Sequence, residues 1–332
     1  MRTELGLTLA VERWPLRRPF TITGYEFTES EVLVVEIHDG ELRGRGECAG
    51  VYYHDDTVAR CREQIAAVSG RIRAGISRAE LLDVLPAGGA RNAVDCALWD
   101  LEAKQRRQPV WQLAGLECPR PVLTTITVGA DYPEGMAERA REFASARALK
   151  LKLTGTELDA ERVRAVRGAR PDVWLAVDAN QGFTPATLAR LMPILVAARV
   201  ELVEQPFPRD SDDQMDELRS PIPVAADESA QDIGDLDRLA GRFDVINIKL
   251  DKCGGLTRAL TMAAAIRDRG MRVMVGCMNG TSLAMAPAAV VGQLCDVVDL
   301  DGPLFLISDR EPPATYDDGY LSVPEALWGG AG

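Results

Sequence analysis

Apolar and polar residues alternate over residues 5–12 and 31–38, with many β-branched positions, as expected of strands that bury one face. The second run meets Asp39-Gly40, a hairpin signal. Over residues 57–85, and again over 90–106, the spacing turns helical, and Ala93, Ala97, Leu98 and Leu101 fall on one stripe. The first 118 residues therefore predict a strand-then-helix, α+β segment.

From Pro121 onward, short apolar runs alternate with helical stretches. The runs cover residues 122–128, 149–154, 173–177, 200–203, 224–226, 245–248, 273–276 and 297–300. Eight strands separated by stretches long enough for a crossover helix give the arithmetic of a (β/α)₈-type α/β barrel. A doubly wound sheet of similar strand content would normally place a glycine-rich phosphate turn after its first strand, and none follows Val128.

Composition narrows the chemistry. With 332 residues, 46% of them apolar and 27% charged, the chain has ample material for a buried core. A net charge of −12 repels a phosphate backbone, which excludes nucleic acid as a partner. The first residues carry Glu4 and Glu12 within no unbroken apolar core, and the longest apolar stretch, near 283–292, falls far short of the roughly 20 residues of a membrane span. No export signal or membrane association is expected. Seven widely spaced cysteines, with no C-x-x-C pair, fit a reducing cytoplasm better than a disulfide framework. Only His38 and His54 are present, so acid–base chemistry falls to Lys, Asp, Glu or Tyr.

Ionisable groups recur where the strands end: Lys150 and Lys152, Asp178 and Asn180, Glu204, Asp227 and Glu228, Lys249, Asp251 and Lys252, then Asp299 and Asp301. In a barrel these ends converge on one mouth. Any one strand-end acid is commonly a helix N-cap. Asp178, Glu204 and Asp227, from three consecutive strands, instead form an oxygen set for a hard cation, with Mg²⁺ the natural choice and Mn²⁺ the alternative. Lys152 and Lys249 stand four strands apart in a ring of eight and so face each other. That arrangement suits removal of a proton from one face of a carbon and its return from the other. Lys150, one layer deeper, is an electrostatic helper, and with Mg²⁺ it is expected to bring the lysine bases toward neutrality.

The ordered motifs K-x-K, D-x-N, E-Q-P, D-E-S and I-K-x-D-K-x-G-G resemble the enolase superfamily, muconate-lactonizing subgroup, whose members work a lysine base beside Mg²⁺. The resemblance spans nearly the whole chain. It implies a modified TIM barrel, (β/α)₇β, over residues 119–304, an N-terminal α+β capping domain over 1–118 that includes Gly46-Glu47-Cys48, and a C-terminal segment, 305–332, returning to the cap. Within the subgroup, Asp299-Leu-Asp301 resembles the D-x-D motif of dipeptide epimerases, the family typified by L-Ala-D/L-Glu epimerase, where the acids hold the dipeptide's ammonium group. Asp301 alone also reads as the opening of an Asp-Gly-Pro turn. Gly276-Cys277-Met278 matches these epimerases, while Asn279-Gly280-Thr281 departs from members with an acid nearby.

The resemblance assigns substrate contacts to Asp299, Asp301, Lys150, Thr125, Phe27, Tyr53 and Met278, and supporting places to Asn180, Glu228 and Asp251. Phe27 stands where Ala-Glu epimerases carry an arginine, which turns the expectation toward an uncharged, hydrophobic or cationic dipeptide. Phe27, Tyr25 and Tyr53 favour an apolar side chain, and Glu26, Asp55 and Asp56 a basic one, with the balance slightly apolar. Rival readings keep the lysines and metal acids but change the reaction, as in N-acylamino acid racemase, o-succinylbenzoate synthase or muconate cycloisomerase. Others make one lysine a Schiff-base nucleophile of an aldolase, or leave a non-catalytic binding barrel. A homo-oligomer stays open.

Overall fold

The computed structural model describes residues 4–332. Its first layer is a three-stranded antiparallel sheet of β1 (Gly6–Ile22), β2 (Tyr25–Asp39) and β3 (Leu42–Cys48), in that order. The first two strands run well beyond the alternating segments that predicted them. Pairing is continuous from Gly6↔His38 to Pro15↔Glu29, shifts, and resumes from Phe20↔Phe27. Pro15, Arg17, Arg18 and Pro19 hide the alternation, and the sheet tolerates two prolines there because β1 is an edge strand.

The helical stretch over residues 57–85 is two helices, α1 (Val58–Arg73) and α2 (Arg78–Val84). The chain breaks at Gly75, whose φ of +85° suits glycine, and restarts on a Ser77–Glu80 capping box. Helix α3 (Gly89–Arg106) then crosses the sheet so closely that only glycine fits beneath it. A Cβ at Gly44 would stand 2.1 Å from the Ala97 carbonyl oxygen, and one at Gly46 2.0 Å from that of Ala93.

The second body is an eight-stranded parallel sheet. Here the apolar run 122–128 divides in two, because Thr124 and Thr125 turn their amides to different partners, the Gly319 and Val298 carbonyls. Its first half, β4 (Val122–Leu123), pairs with a hairpin near the C-terminus, and its second, β5 (Ile126–Val128), opens the barrel. The remaining strands are β6 (Ala148–Lys152), β7 (Trp174–Asp178), β8 (Leu202–Glu204), β9 (Val224–Ala226), β10 (Val245–Lys249), β11 (Arg272–Gly276) and β12 (Val297–Asp299), each beside its predecessor. The bond from the Thr125 amide to the Val298 carbonyl, 2.9 Å, brings the first and last members together. α-Helices make most of the crossovers. The β8–β9 connection instead carries a 3₁₀ segment, Arg209–Met215.

The chain ends with β13 (Thr315–Asp317) and β14 (Tyr320–Ser322), after which it lies against the first layer. There the Trp328 indole donates to the Arg45 carbonyl at 2.8 Å, and the Gly329 amide donates to Asp100 Oδ1 at 2.8 Å. Within the barrel, Ala176, Leu202, Ala225, Val245 and Met274 form an apolar plug. Polar side chains closer to the C-terminal strand ends stand above it, and this layering sets the depth of the site.

The close approach of α3 to β3 generates a direct test. Gly46→Ala is expected to destabilise the fold by about 2 kcal/mol or more, since overpacking against fixed backbone typically costs about 1–3 kcal/mol. Urea unfolding would show this as a lowered midpoint at unchanged slope, and an unchanged midpoint would contradict the packing.

Candidate active site

Side chains alternate along a strand, so Lys150 and Lys152 of β6 share the inward face, as do Val245, Asn247 and Lys249 of β10. Strand register then sets heights. Lys152, Asp178 and Glu204 are successive partners across β6, β7 and β8, and Lys249, Gly276 and Asp299 are successive partners across β10, β11 and β12. Gly276 leaves room for its neighbour, because a Cβ there would meet Lys249 Cε at 3.2 Å and Asn247 Oδ1 at 2.8 Å.

The charged groups pair closely. Lys152 Nζ donates to Asp178 Oδ2 at 2.5 Å, and Lys249 Nζ to Asp227 Oδ2 at 2.7 Å. Lys252 Nζ holds the other Asp227 oxygen at 2.6 Å and the Asn247 carbonyl at 3.0 Å. Lys150 donates to Asp299, which also accepts from the Thr125 hydroxyl, and stands 3.2 Å from Glu204 Oε2. The carboxylates are further fixed by neutral donors. The Asn180 amide reaches Asp178 Oδ1 at 2.8 Å, Asn247 Nδ2 reaches Glu204 Oε1 at 2.8 Å, and the Thr127 amide reaches Asp301 Oδ2 at 2.6 Å.

Six buried carboxylates (Asp178, Glu204, Asp227, Glu228, Asp299, Asp301) thus face four buried lysines (Lys150, Lys152, Lys249, Lys252), an excess of two negative charges. The excess shows in the titration. Burial and then Asp178 push Glu204 up to about 7, burial and Asp227 push Glu228 up to about 8, and burial and Asp299 push Asp301 up to about 6. The expected fall in lysine basicity is reversed at Lys249. Burial works to lower its pKa, but Asp227, with Glu204 and Glu228 among the other contributors, holds it well above the ordinary value.

Glu228 Oε2 and Asn180 Oδ1 are buried without a hydrogen-bond partner, and Glu204 Oε2 has only the Lys150 ammonium group, 3.2 Å away, beside it. Hard oxygen donors, unpaired oxygens and a twofold negative excess fit a divalent cation. Among the described residues no three acids stand ready-arranged around one point, because lysine ammonium groups are interleaved with them. A cation would have to displace those contacts.

Above this layer lies a cavity of about 470 Å³. Of the residues singled out from the sequence, Lys152, Lys249, Asn180, Met278 and Phe27 line it. Tyr52 lines it too, whereas Tyr53 packs edge-on behind Tyr52 with its hydroxyl 3.4 Å from Gln231 Nε2. Lys150, Thr125, Asp299 and Asp301 lie outside the lining, with the partners described above. Glu228 borders a separate, more open cleft beside His54 and Arg209.

Comparison with known proteins matches residues 135–330 to the enolase C-terminal domain-like family and residues 4–115 to the mandelate racemase / muconate lactonizing enzyme N-terminal domain. The chain belongs to the enolase superfamily. It is 40% identical to L-Ala-D/L-Glu epimerase of Escherichia coli K12 over 314 residues, covering 94% of this chain and 98% of the relative. An enolase family member from Agrobacterium tumefaciens, with homology to dipeptide epimerases and solved with sodium and L-Ala-L-Glu, superposes with a TM-score of 0.95 at 39% identity over 98% of this chain and all of the other. A dipeptide epimerase from Methylococcus capsulatus, solved with Mg and L-Arg-D-Lys, gives a TM-score of 0.89 at 30% identity, covering 97% of each chain.

In this enolase-superfamily chain the cavity wall comes from both layers, and buried ties join them. Glu47 of the Gly-Glu-Cys stretch accepts from the Thr281 amide at 2.7 Å and from Arg310 at 2.7 Å, which fixes the loop after β11. The Ser30 hydroxyl donates to the Asn279 carbonyl at 2.7 Å. Asp251 Oδ1 accepts from the Ala49 and Gly50 amides at 3.0 and 3.1 Å, anchoring the segment that leads to Tyr52. Sequence reasoning missed Asn247, although the inward alternation of β10 marks it. It placed specificity in the loop from Tyr52 to Asp56 but chose Tyr53 over its neighbour Tyr52 as the contact, and it missed Arg13, which sits just past the run that predicted β1.

Asp251 carries a pH signature. Burial pushes its carboxyl up to about 7, so the native state keeps a proton that the unfolded chain releases near its ordinary value of about 4. The stabilisation is complete below about 4 and is lost as pH rises to about 7. Asp251→Asn retains the accepting oxygen without the charge. Its Tm relative to the parent is expected to rise between about pH 4 and pH 7 and level off above. A difference independent of pH would contradict the assignment.

Proposed function

We propose that the chain is a Mg²⁺-dependent dipeptide epimerase, an isomerase that inverts the α-carbon beside the dipeptide's C-terminal carboxylate. One observation carries the reading. Lys152 and Lys249 enter the same cavity from β6 and β10, four strands apart in the sheet of eight. A carbon held between two amines is open to proton removal by one and proton delivery by the other, which inverts its configuration. In each direction one lysine acts as the neutral base and its counterpart as the ammonium acid.

Asp178, Glu204 and Asp227 are the residues assigned to the cation, in line with a Glu204 oxygen that accepts no hydrogen bond and with the site's negative excess. Bound there, Mg²⁺ supplies positive charge that acidifies the α-C–H of a carboxylate substrate. Burial beneath the cap removes competing water, and the apolar plug keeps the charge layer in a low-dielectric setting where each pairing acts more strongly. Lys150 balances Glu204 and Asp299 from below.

Asp299 and Asp301 are assigned to the substrate's ammonium group. Both lie outside the cavity lining with other partners, so the ammonium must compete with Lys150 for Asp299. The raised pKa of Asp301 marks a carboxyl short of positive charge, which an ammonium would supply. An N-acylated substrate gains nothing from these acids, which separates this reading from an N-acylamino acid racemase. For the epimerised residue, Phe20, Phe27 and Tyr52 make the wall apolar and aromatic, with no arginine at position 27. This supports hydrophobic or cationic dipeptides over Ala-Glu.

Incubation in D₂O, followed by mass spectrometry and chiral analysis, tests the mechanism. The parent is expected to deuterate the α-carbon and interconvert both configurations, and to lose this with EDTA. Lys152→Ala and Lys249→Ala should each abolish inversion yet keep exchange with one configuration only, a different one for each variant. Identical losses for both configurations in both variants would contradict opposed bases. Asp301→Asn should lower kcat/KM for a free dipeptide relative to its N-acetyl counterpart by about tenfold or more, the scale of one hydrogen bond to a charged group. An unchanged ratio would contradict the ammonium assignment.

A further inference from the structure

The cavity reaches from the lysine pair to a charged rim on the β1–β2 hairpin, and the rim has a definite sign. Arg13, Glu29 and Glu31 all line it. Antiparallel pairing sets Arg13 opposite Glu31 and Pro15 opposite Glu29, so the two glutamates stand on one face of β2 beside the same guanidinium. Arg13 Nε and Nη2 both donate to Glu31 Oε1, at 3.1 and 2.9 Å. Glu29 approaches Arg13 only to 3.7 Å, so it keeps its accepting capacity for another cation. Apart from the two lysines of the reacting centre, Arg13 is the single cation among the described lining residues, and Asp56 adds a third acid.

The same cavity is lined by Phe20, Ile22, Phe27 and Tyr52, with the Phe27 and Tyr52 rings in edge contact at 5.4 Å. A cavity that combines aromatic walls with a carboxylate left without a hydrogen bond matches a side chain with a methylene stem and a cationic tip. The stem packs on the rings and the tip takes Glu29, with help from the ring faces. A carboxylate tip would meet two acids and an arginine already hydrogen-bonded to Glu31.

We propose that Glu29, with Arg13 and Glu31 holding the rim in place, is a specificity-determining residue that selects dipeptides whose epimerised C-terminal residue is basic, lysine or arginine. The inference rests on the epimerase reading above and deepens it by naming the side-chain class.

The test measures α-deuteration kinetics in D₂O with Ala-Lys, Ala-Arg, Ala-Phe and Ala-Glu on the Mg²⁺-supplied full chain. Expected kcat/KM for the basic pair exceeds that for Ala-Glu by at least about tenfold, consistent with one partly exposed ion pair gained and one repulsion avoided. The preference for Ala-Lys over Ala-Phe should shrink as salt is raised, because the rim is open to solvent. Glu29→Gln should lower the Ala-Lys to Ala-Phe ratio through the KM of Ala-Lys. Comparing substrates on one variant cancels any loss of folded protein. Preference for Ala-Glu, or a ratio indifferent to both salt and Glu29→Gln, would overturn the proposal while leaving the epimerase reading intact. Absence of exchange with all four dipeptides would remove the epimerase reading and this inference together.

Discussion

The structure depends on a layer of buried charge that its own lysines do not balance. Carboxylates at the ends of β7, β8, β9 and β12 meet ammonium groups from β6, β10 and the turn after β10, and the acids outnumber the amines by two. Such a layer survives in a low-dielectric interior only when each charge has partners. The chain supplies them through Asn180, Asn247, Thr125 and Thr127. What they leave over, a Glu228 oxygen without a hydrogen bond and the raised Glu204 and Glu228 pKa values, fits a site that takes a divalent cation.

The charge layer also explains the architecture around it. Below, Ala176, Leu202, Ala225, Val245 and Met274 seal the barrel with apolar side chains. Above, the capping sheet and its loops cover the mouth and are locked to the barrel by buried polar ties, with Glu47 to Thr281 and Arg310, and Asp251 to the Ala49 and Gly50 amides. The barrel thus carries the reactive groups at fixed depth and register. The cap supplies much of the cavity wall above them, so in the proposed reading chemistry and selectivity reside on different elements.

Much of this was legible in the sequence because strand periodicity and strand-end chemistry coincide. The enolase-superfamily barrel and its capping layer follow from short apolar runs, and the runs end in the acids and lysines that the fold gathers. Register, which places Lys152 beside Asp178 and Lys249 level with Asp299, follows from pairing that no single strand encodes. The less legible parts have local causes. Gly75 divides a helical stretch that its apolar spacing alone made continuous, and Thr124 and Thr125 split one apolar run between two sheets. Arg13 joins the cavity only because β1 continues past its alternating segment and overhangs the mouth. The position of Asp299 and Asp301 outside the cavity lining reflects competition from Lys150, Thr125 and Thr127, which a motif cannot reveal.

The proposed chemistry needs two amines flanking one carbon while three carboxylates grip a cation. A crystal structure with Mg²⁺ and a dipeptide whose α-carbon is held unreactive tests it most directly. The expected result is a cation on Asp178, Glu204 and Asp227, and the Lys152 and Lys249 nitrogens on opposite faces of that carbon, each within about 3.5 Å. Both nitrogens on the same face, or a ligand bound with no cation among the three carboxylates, would contradict it.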